Sequence, residues 1–332
     1  MKYFVTGATG FLGGCVVRQL LAAGHAVNAV VRSPAKAADL AALGVALFPG
    51  DITDKNSLRE PMRGVDGVFH IAAWYKIGVR DQSDAERINV GGTRNVLEVM
   101  RELGIRKGVY TSTLAIWSDT HGRMPDESYQ YAGPHISEYD RTKAIAHDLA
   151  EGFIRDGLPL VIVQPGVIYG PGDSSALRRA IRQFLTGKLP MIPSGTTFCW
   201  AYVDDVARGH ILAMEKGKPG ESYIIAGPCH KVSEFFEMAE AITGIKAPRL
   251  RASPGMMKAT AGVVGLIEKV APMPEDYSSE YLRVNGGTTY LGDNSKARRE
   301  LGYAPRPLRE GLEATLRKEL EMMGRSLTPK LS

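Results

Sequence analysis

The sequence predicts an α/β protein: a doubly wound parallel sheet followed by a smaller, mostly helical C-terminal lobe. Three observations predict it. Short apolar runs alternate with amphipathic stretches through the first half of the 332 residues. A glycine-rich turn follows the first of those runs directly, and the alternation fades beyond about Gly170. Short apolar runs bounded by turn residues suit strands buried on both faces, and strands alternating with helices mark βαβ units. Right-handed crossovers then lay the helices on both sides of a parallel sheet.

In order, strands are expected at 2–6, 26–31, 45–48, 67–71, 107–112 and 160–163, separated by helices at 11–21, 34–43, 55–62, 84–103 and 137–155. Helices are expected again at 175–185, 203–216, 233–243, 256–270, 295–301 and 308–323, with fewer and shorter strands among them. This divides the chain into a unit over 1–170, to which parts of 195–230 return, and a lobe formed mainly by 171–330. Ligands of such sheets bind beyond the carboxyl ends of the strands, so the lobe should cap that edge.

Composition narrows the function classes. A hydrophobic fraction of 44% and a charged fraction of 23% are ordinary for a globular protein. The net charge of +5 is dispersed, with Arg178-Arg179 and Arg298-Arg299 the tight basic pairs, which argues against nucleic-acid binding. Cys15, Cys199 and Cys229 are odd in number, far apart and without a C-x-x-C, so neither a disulfide framework nor a metal site is expected, and a reducing compartment is. No signal peptide is visible. The apolar stretch 259–267 lies between Lys258 and Glu268-Lys269 and falls far short of the ~20 residues that cross a bilayer. No membrane span and a cytoplasmic location follow as expectations.

Three segments carry chemistry. Gly7-Ala8-Thr9-Gly10-Phe11-Leu12-Gly13 joins the first strand to the first helix. That order aims bare backbone N–H groups and a helix N-terminus at a site suited to a pyrophosphate, as in a Rossmann fold. Gly7 and Gly10 allow close ligand approach, and Gly13 lets the helix pack tightly on the sheet. Tyr139 and Lys143, in Tyr139-Asp140-Arg141-Thr142-Lys143, stand one helical turn apart on one face. An ammonium beside a phenol lowers the phenol's pKa and lets it exchange a proton near neutrality. The strand end Tyr110-Thr111-Ser112-Thr113 places hydroxyls at the carboxyl edge, where one can bind a substrate oxygen; Thr113 is the first choice and Ser112 the second.

Together these segments resemble the extended short-chain dehydrogenase/reductase family, near its dihydroflavonol-reductase-like and epimerase-like members, over nearly the whole chain. Thr6 to Gly13 looks like the family's T-G-x-x-G-x-x-G loop, and Asp51-Ile52-Thr53-Asp54 is similar to the segment beside the adenine. His70-Ile71-Ala72-Ala73, Asn89-Val90-Gly91-Gly92-Thr93 and Trp200 to Ala207 match further family segments, as does the tail Lys296 to Pro305. Pro165-Gly166-Val167-Ile168-Tyr169-Gly170 resembles the loop against the nicotinamide. The resemblance implies that Tyr139 is the general acid/base, that Lys143 holds the nicotinamide ribose and tunes the phenol, and that Thr113 orients the substrate oxygen, where the family more often has serine. It also implies a homodimer through the helices at 84–103 and 137–155.

At the end of the second strand an acidic residue would bind the ribose 2′-OH and favour NAD. Val31-Arg32-Ser33 stands there instead, with Lys36 nearby, and a guanidinium suits a 2′-phosphate. NADP is therefore the expected cofactor and NAD the second choice. Three activities are weighed: a reductase or dehydrogenase, a sugar-nucleotide epimerase or dehydratase, and a non-catalytic dinucleotide sensor. An acid/base pair disfavours the sensor. Arg178, Arg179 and Arg182 could serve a nucleotide diphosphate, whereas the apolar stretch 253–273, with Met256, Met257, Val263, Val264, Leu266, Ile267, Val270 and Met273, suits a bulky apolar substrate. Trp74-Tyr75-Lys76-Ile77 adds aromatic surface near the nicotinamide, and the reductase reading leads.

Overall fold

The structure, a computed structural model, describes residues 1–327. The chain begins β1 (Lys2–Thr6), α1 (Phe11–Ala22), β2 (Ala26–Val31), a 3-10 turn at Pro34–Ala37, α2 (Ala38–Ala42), β3 (Ala46–Pro49), α3 (Asn56–Met62) and β4 (Gly67–His70). It continues α4 (Ser83–Glu86), a π-helical turn at Arg87–Gly92, α5 (Thr93–Glu102), β5 (Gly108–Thr111), α6 (Glu138–Arg155) and β6 (Leu160–Pro165). The remainder is β7 (Val167–Tyr169), α7 (Ala176–Leu185), β8 (Ile192–Pro193), β9 (Thr197–Tyr202), α8 (Val203–Lys216), β10 (Ser222–Ile225), β11 (Cys229–Lys231), α9 (Val232–Thr243), β12 (Arg251–Ala252), α10 (Pro254–Ile267), α11 (Ser279–Val284), β13 (Thr289–Tyr290), α12 (Ser295–Leu301) and α13 (Leu308–Met322).

Seven strands form one parallel sheet in the order β10-β6-β5-β4-β1-β2-β3. The order reverses between β1 and β4, a switch point where such sheets open a crevice for ligands. Each sheet face has its own core. Val16, Val17 and Leu20 of α1 pack with Val206 and Ile211 of α8 on one side. Leu58 and Met62 of α3, Val96 and Met100 of α5, and Ala146 and Ala150 of α6 fill the other. A third cluster, with Trp200 and Phe235 stacked at 4.3 Å between ring centroids, lies under α7, α9 and α13.

Two expectations are corrected. The helix expected over 84–103 widens into the π-helical turn around Asn89, the kind of local insertion that accompanies functional sites. The absence of a disulfide expected from cysteine spacing also fails. β9 and β11 run antiparallel with Cys199 opposite Cys229, and the pair is joined as a disulfide, leaving Cys15 as the free, buried cysteine. Thirty residues of separation close into one cross-strand pair because the intervening chain returns along β9, so the cysteine count no longer argues for a reducing compartment. Among the described residues no helix is long and apolar enough to cross a membrane.

Candidate active site

The loop between β1 and α1 is shaped around backbone, not side chains. Gly7 has φ +71°, and a Cβ there would stand 2.8 Å from the Ala72 amide nitrogen. A Cβ on Gly13 would collide with the Gly7 carbonyl. Gly10 is the N-cap of α1 and offers no side chain to its first-turn N–H groups, so those donors stay available to an anion. Thr9 is exposed, while the partly buried ring of Phe11 packs toward Gly170 and Leu12 enters the core. This cradle fits a dinucleotide pyrophosphate.

Thr6 ties that loop to the end of β4. Its hydroxyl oxygen accepts from the Ile71 amide at 3.0 Å and the Ala72 amide at 3.1 Å. Its proton therefore goes to His70 Nδ1, 2.8 Å away, which leaves His70 Nε2 to donate to Thr93 Oγ1 at 3.0 Å. Burial holds His70 neutral, its pKa lowered to about 3. Ala72 and Ala73 follow this anchor, and Asn89 fixes the next residue by accepting from the Trp74 amide at 2.7 Å and donating to its carbonyl at 3.1 Å. The π-helical turn is what brings Asn89 to that position.

The other residues proposed to hold the cofactor surround the same edge. Arg32 and Lys36 are exposed beyond β2, and neither makes an ion pair among the described residues. Asp51 spends one carboxylate oxygen on the Thr53 amide and hydroxyl, both at 2.9 Å, and Ile52 is buried against the Cα of Gly92. Pro165 ends β6, Gly166 passes so close to the Cys199 carbonyl that a Cβ would not fit, and Val167 and Ile168 are half-buried in β7.

Strand alternation sorts the hydroxyls of β5. Tyr110 and Ser112 face α6, where Lys143 and His147 stand one turn apart. Lys143 Nζ donates to the Tyr110 hydroxyl oxygen at 3.0 Å and to the Thr111 carbonyl at 2.7 Å, and burial lowers its pKa to about 7. Ser112 is hydrogen-bonded to His147 Nδ1 at 2.8 Å, about two turns along α6 from Tyr139. Thr111 points to the opposite face and meets His210 Nε2 at 2.9 Å. Thr113, beyond the strand end, is half-buried and within hydrogen-bonding reach of Tyr139.

Tyr139 meets Tyr75 edge-on, with ring centroids 4.8 Å apart at 80°. Burial raises the Tyr139 pKa, the Tyr75 phenol raises it further, and the Thr113 hydrogen bond pulls it down. Here the structure reverses the sequence expectation. Phenol and ammonium share a helix face, but Lys143 Nζ is bonded to Tyr110 and Thr111 at the end of β5, and the Tyr139 pKa is raised, not lowered. The next residue, Asp140, is buried and accepts from Ser118 Oγ and Ser137 Oγ, both at 2.7 Å, and from the Tyr290 hydroxyl at 3.0 Å. Sequence reasoning missed Tyr110, Asn89 and Asp140 in these roles. Tyr110 was legible in principle, because its two-residue spacing from Ser112 matches the four-residue spacing of Lys143 and His147.

The arginines considered for a nucleotide diphosphate are committed elsewhere. Arg178 Nε lies 2.7 Å from buried Glu319, Arg182 lies 3.7 Å from the same carboxylate, and Arg179 is 2.6 Å from Asp276. The stretch 253–273 is likewise divided. Met257, Ala261 and Val264 face inward, whereas Met256, Val263, Leu266, Ile267 and Val270 are exposed, because a helix cannot turn every apolar residue of a continuous run toward one ligand.

A glycine cradle beneath an uncapped helix, with a tyrosine and a lysine on α6 and a threonine just beyond the end of β5, defines a nicotinamide-dependent oxidoreductase. The NAD dependent epimerase/dehydratase family model matches residues 3–226, and the chain belongs to that family, within the extended short-chain dehydrogenase/reductases. Sterol demethylase protein B of Methylococcus capsulatus is 33% identical over 312 residues, 92% of this chain and 94% of that protein. A putative dihydroflavonol 4-reductase of Synechocystis is 34% identical over 321 residues, 93% of this chain and 92% of that protein. The crystal structure of gox2253 matches with a TM-score of 0.85 at 31% identity, covering 98% of this chain and 99% of that one.

Proposed function

We propose that the protein is an NADP-dependent reductase of a bulky apolar carbonyl compound, run in reverse as a secondary-alcohol dehydrogenase. The nicotinamide supplies or takes up the hydride. Tyr139 donates its phenolic proton to the carbonyl oxygen as that oxygen gains electrons, and Thr113 hydrogen-bonds the same oxygen. Lys143 holds a ribose hydroxyl through its one remaining N–H, with Tyr110 and Thr111 fixing its direction. Arg32 and Lys36 take the 2′-phosphate. Gly7, Thr9, Gly10, Phe11, Leu12 and Gly13 would hold the pyrophosphate; Asp51 and Ile52 would lie by the adenine, and Ala72, Ala73 and 165–168 by the nicotinamide half.

The observation that carries the reductase over the epimerase is the pairing of Arg178, Arg179 and Arg182 with Glu319 and Asp276. A nucleotide diphosphate needs unspent cations, and each of these three is engaged with a carboxylate of the fold, Arg178 and Arg182 sharing Glu319. The names of the two curated relatives, a sterol demethylase protein and a dihydroflavonol reductase, support a bulky apolar substrate. We also propose a homodimer through the outer faces of α5 and α6, where Ile145 leaves a large apolar side chain exposed. The test follows reduced cofactor by absorbance with a panel of aromatic, terpenoid and sterol ketones and of UDP- and GDP-sugars. Net oxidation of NADPH by ketones supports the proposal; conversion of sugar nucleotides with no net change in cofactor overturns it.

A further inference from the structure

α10 presents an apolar stripe outward. Val263, Leu266 and Val270 are 60%, 66% and 87% exposed, and Met256 and Ile267 are 45% and 40% exposed. Met256, Ala259, Val263, Leu266 and Ile267 recur at helical spacing within an arc of roughly 100° of α10, and Val270 extends the apolar surface from the turn that follows the helix. The opposite side of the helix, Met257, Ala261 and Val264, is buried on the lobe. A packed core therefore holds α10 in place, and the outward stripe has no role in that core.

The exposed charges within residues 254–270 have one sign. Lys258 and Lys269 are exposed, stand eleven residues apart on the same flank, and pair with no carboxylate among the described residues. Glu268, the one acidic residue between 254 and 270, is turned inward onto the Ser279 amide and hydroxyl. An apolar stripe flanked by long cationic side chains, with no exposed acid within 254–270, suits the headgroup region of an anionic bilayer: the stripe enters the acyl boundary while the ammonium groups stay at phosphate level.

We propose that the outward face of α10 docks the protein on an anionic lipid surface. A second copy of the chain fits this face less well. An antiparallel two-fold pairing would set Lys258 of each copy against Lys269 of the other, and one short stripe is far below the ~800 Å² per partner of a stable interface. The helix lies on the surface and does not cross it. The loop that follows α10, with Ala271, Pro272 and Met273, walls a cavity of about 460 Å³ whose other side includes Ile136, Ser137 and Glu138 at the start of α6. The cavity lining also carries Arg80, Arg141, Glu280 and Arg283, so in the docked state it would offer a substrate a polar approach to the helix that carries Tyr139. This use of the docked state rests on the proposed reductase reading, whereas docking itself does not.

Co-sedimentation of the full chain with vesicles tests it without turnover. Binding is expected to vesicles of phosphatidylcholine mixed with phosphatidylserine, to weaken on raising salt, and to fall sharply on phosphatidylcholine alone. The double variants L266D/V270D and K258E/K269E should each lose at least about tenfold in vesicle partition. Their NADPH-dependent reduction of a water-soluble aldehyde, measured without vesicles, should stay within about twofold, since none of these side chains reaches the catalytic edge. No binding of the wild-type chain to anionic vesicles, or equal binding by the double variants, overturns the proposal. So does concentration-dependent self-association that L266D/V270D abolishes, which would assign the face to a second copy. Vesicle binding with no reductase activity would leave docking standing and remove the proposed reaction.

Discussion

Lys143 Nζ stands 3.0 Å from the Tyr110 hydroxyl oxygen and 2.7 Å from the Thr111 carbonyl, in a buried pocket between β5 and α6. The Tyr110 hydroxyl is in turn reached by Thr93, which His70 bonds, and His70 by Thr6 at the cofactor loop. The ammonium is thus held at the end of a chain of buried hydrogen bonds that begins at the glycine cradle.

Burial lowers Lys143 to about 7, so in the free protein the ammonium is present below that pH and lost above it. Bound ribose hydroxyls favour the charged form, and binding should therefore take up a proton at higher pH. NADPH affinity is expected to weaken as pH rises from 7 to 9, by as much as about tenfold per unit. Tyr110→Phe, which removes an acceptor from the ammonium, should move the onset to lower pH. Fluorescence titration of NADPH across this range checks both; a flat profile in the wild-type protein contradicts the assignment.

Arg32 is exposed beyond β2 with no partner among the described residues, and no acid stands at that strand end. Arg32→Glu should raise KM for NADPH by about 10–100-fold, the loss of a charge-assisted pair, and leave KM for NADH level or lower. Steady-state kinetics with the two cofactors decide it. Equal KM values for both in the wild-type protein would remove the 2′-phosphate role.

Gly7 combines φ +71° with a Cβ position 2.8 Å from the Ala72 nitrogen, so Gly7→Ala meets backbone strain and a clash together. A destabilisation of about 2 kcal/mol or more, and a fall in Tm of about 3 °C or more, is expected with loss of NADPH binding. Thermal unfolding with and without NADPH measures both. A variant with native Tm and affinity would show that the loop is not closed as described.

Asp140 is raised to about 6 by burial, against an ordinary value of 3.8, even with three hydroxyl donors on its carboxylate. The folded protein therefore carries the full cost of the buried charge above pH 6 and sheds it as the pH falls toward 4. The wild-type protein should gain stability relative to Asp140→Asn over that window, by as much as about 3 kcal/mol. Paired denaturant titrations at pH 7 and pH 4 read the difference; an unchanged difference contradicts the buried ionised carboxylate.

The βαβ frame was legible because buried strands and amphipathic helices write their periods directly into the chain: the strand at 26–31 and the helices at 203–216 and 295–301 coincide residue for residue with β2, α8 and α12. The candidate site was legible as motifs, since glycine spacing and the Tyr139–Lys143 turn are local. What stayed hidden depends on partners distant in sequence. Ser112 turns to His147, and Asp140 joins Tyr290 from 150 residues away. Cys199 meets Cys229 only once β9 and β11 pair. The outward turn of Leu266 and Val270 likewise depends on which face of α10 the lobe covers, which an apolar run does not specify.

The central claim is that Tyr139 moves the proton of a hydride-transfer reaction. Tyr139→Phe keeps the ring against Tyr75 and removes only the hydroxyl. Single-turnover oxidation of bound NADPH by a ketone substrate, measured beside the NADPH Kd, is the most direct test. The rate should fall by about 10²–10⁴-fold with Kd within about threefold of the wild-type value. A rate within tenfold of wild type would contradict it and place the acid elsewhere.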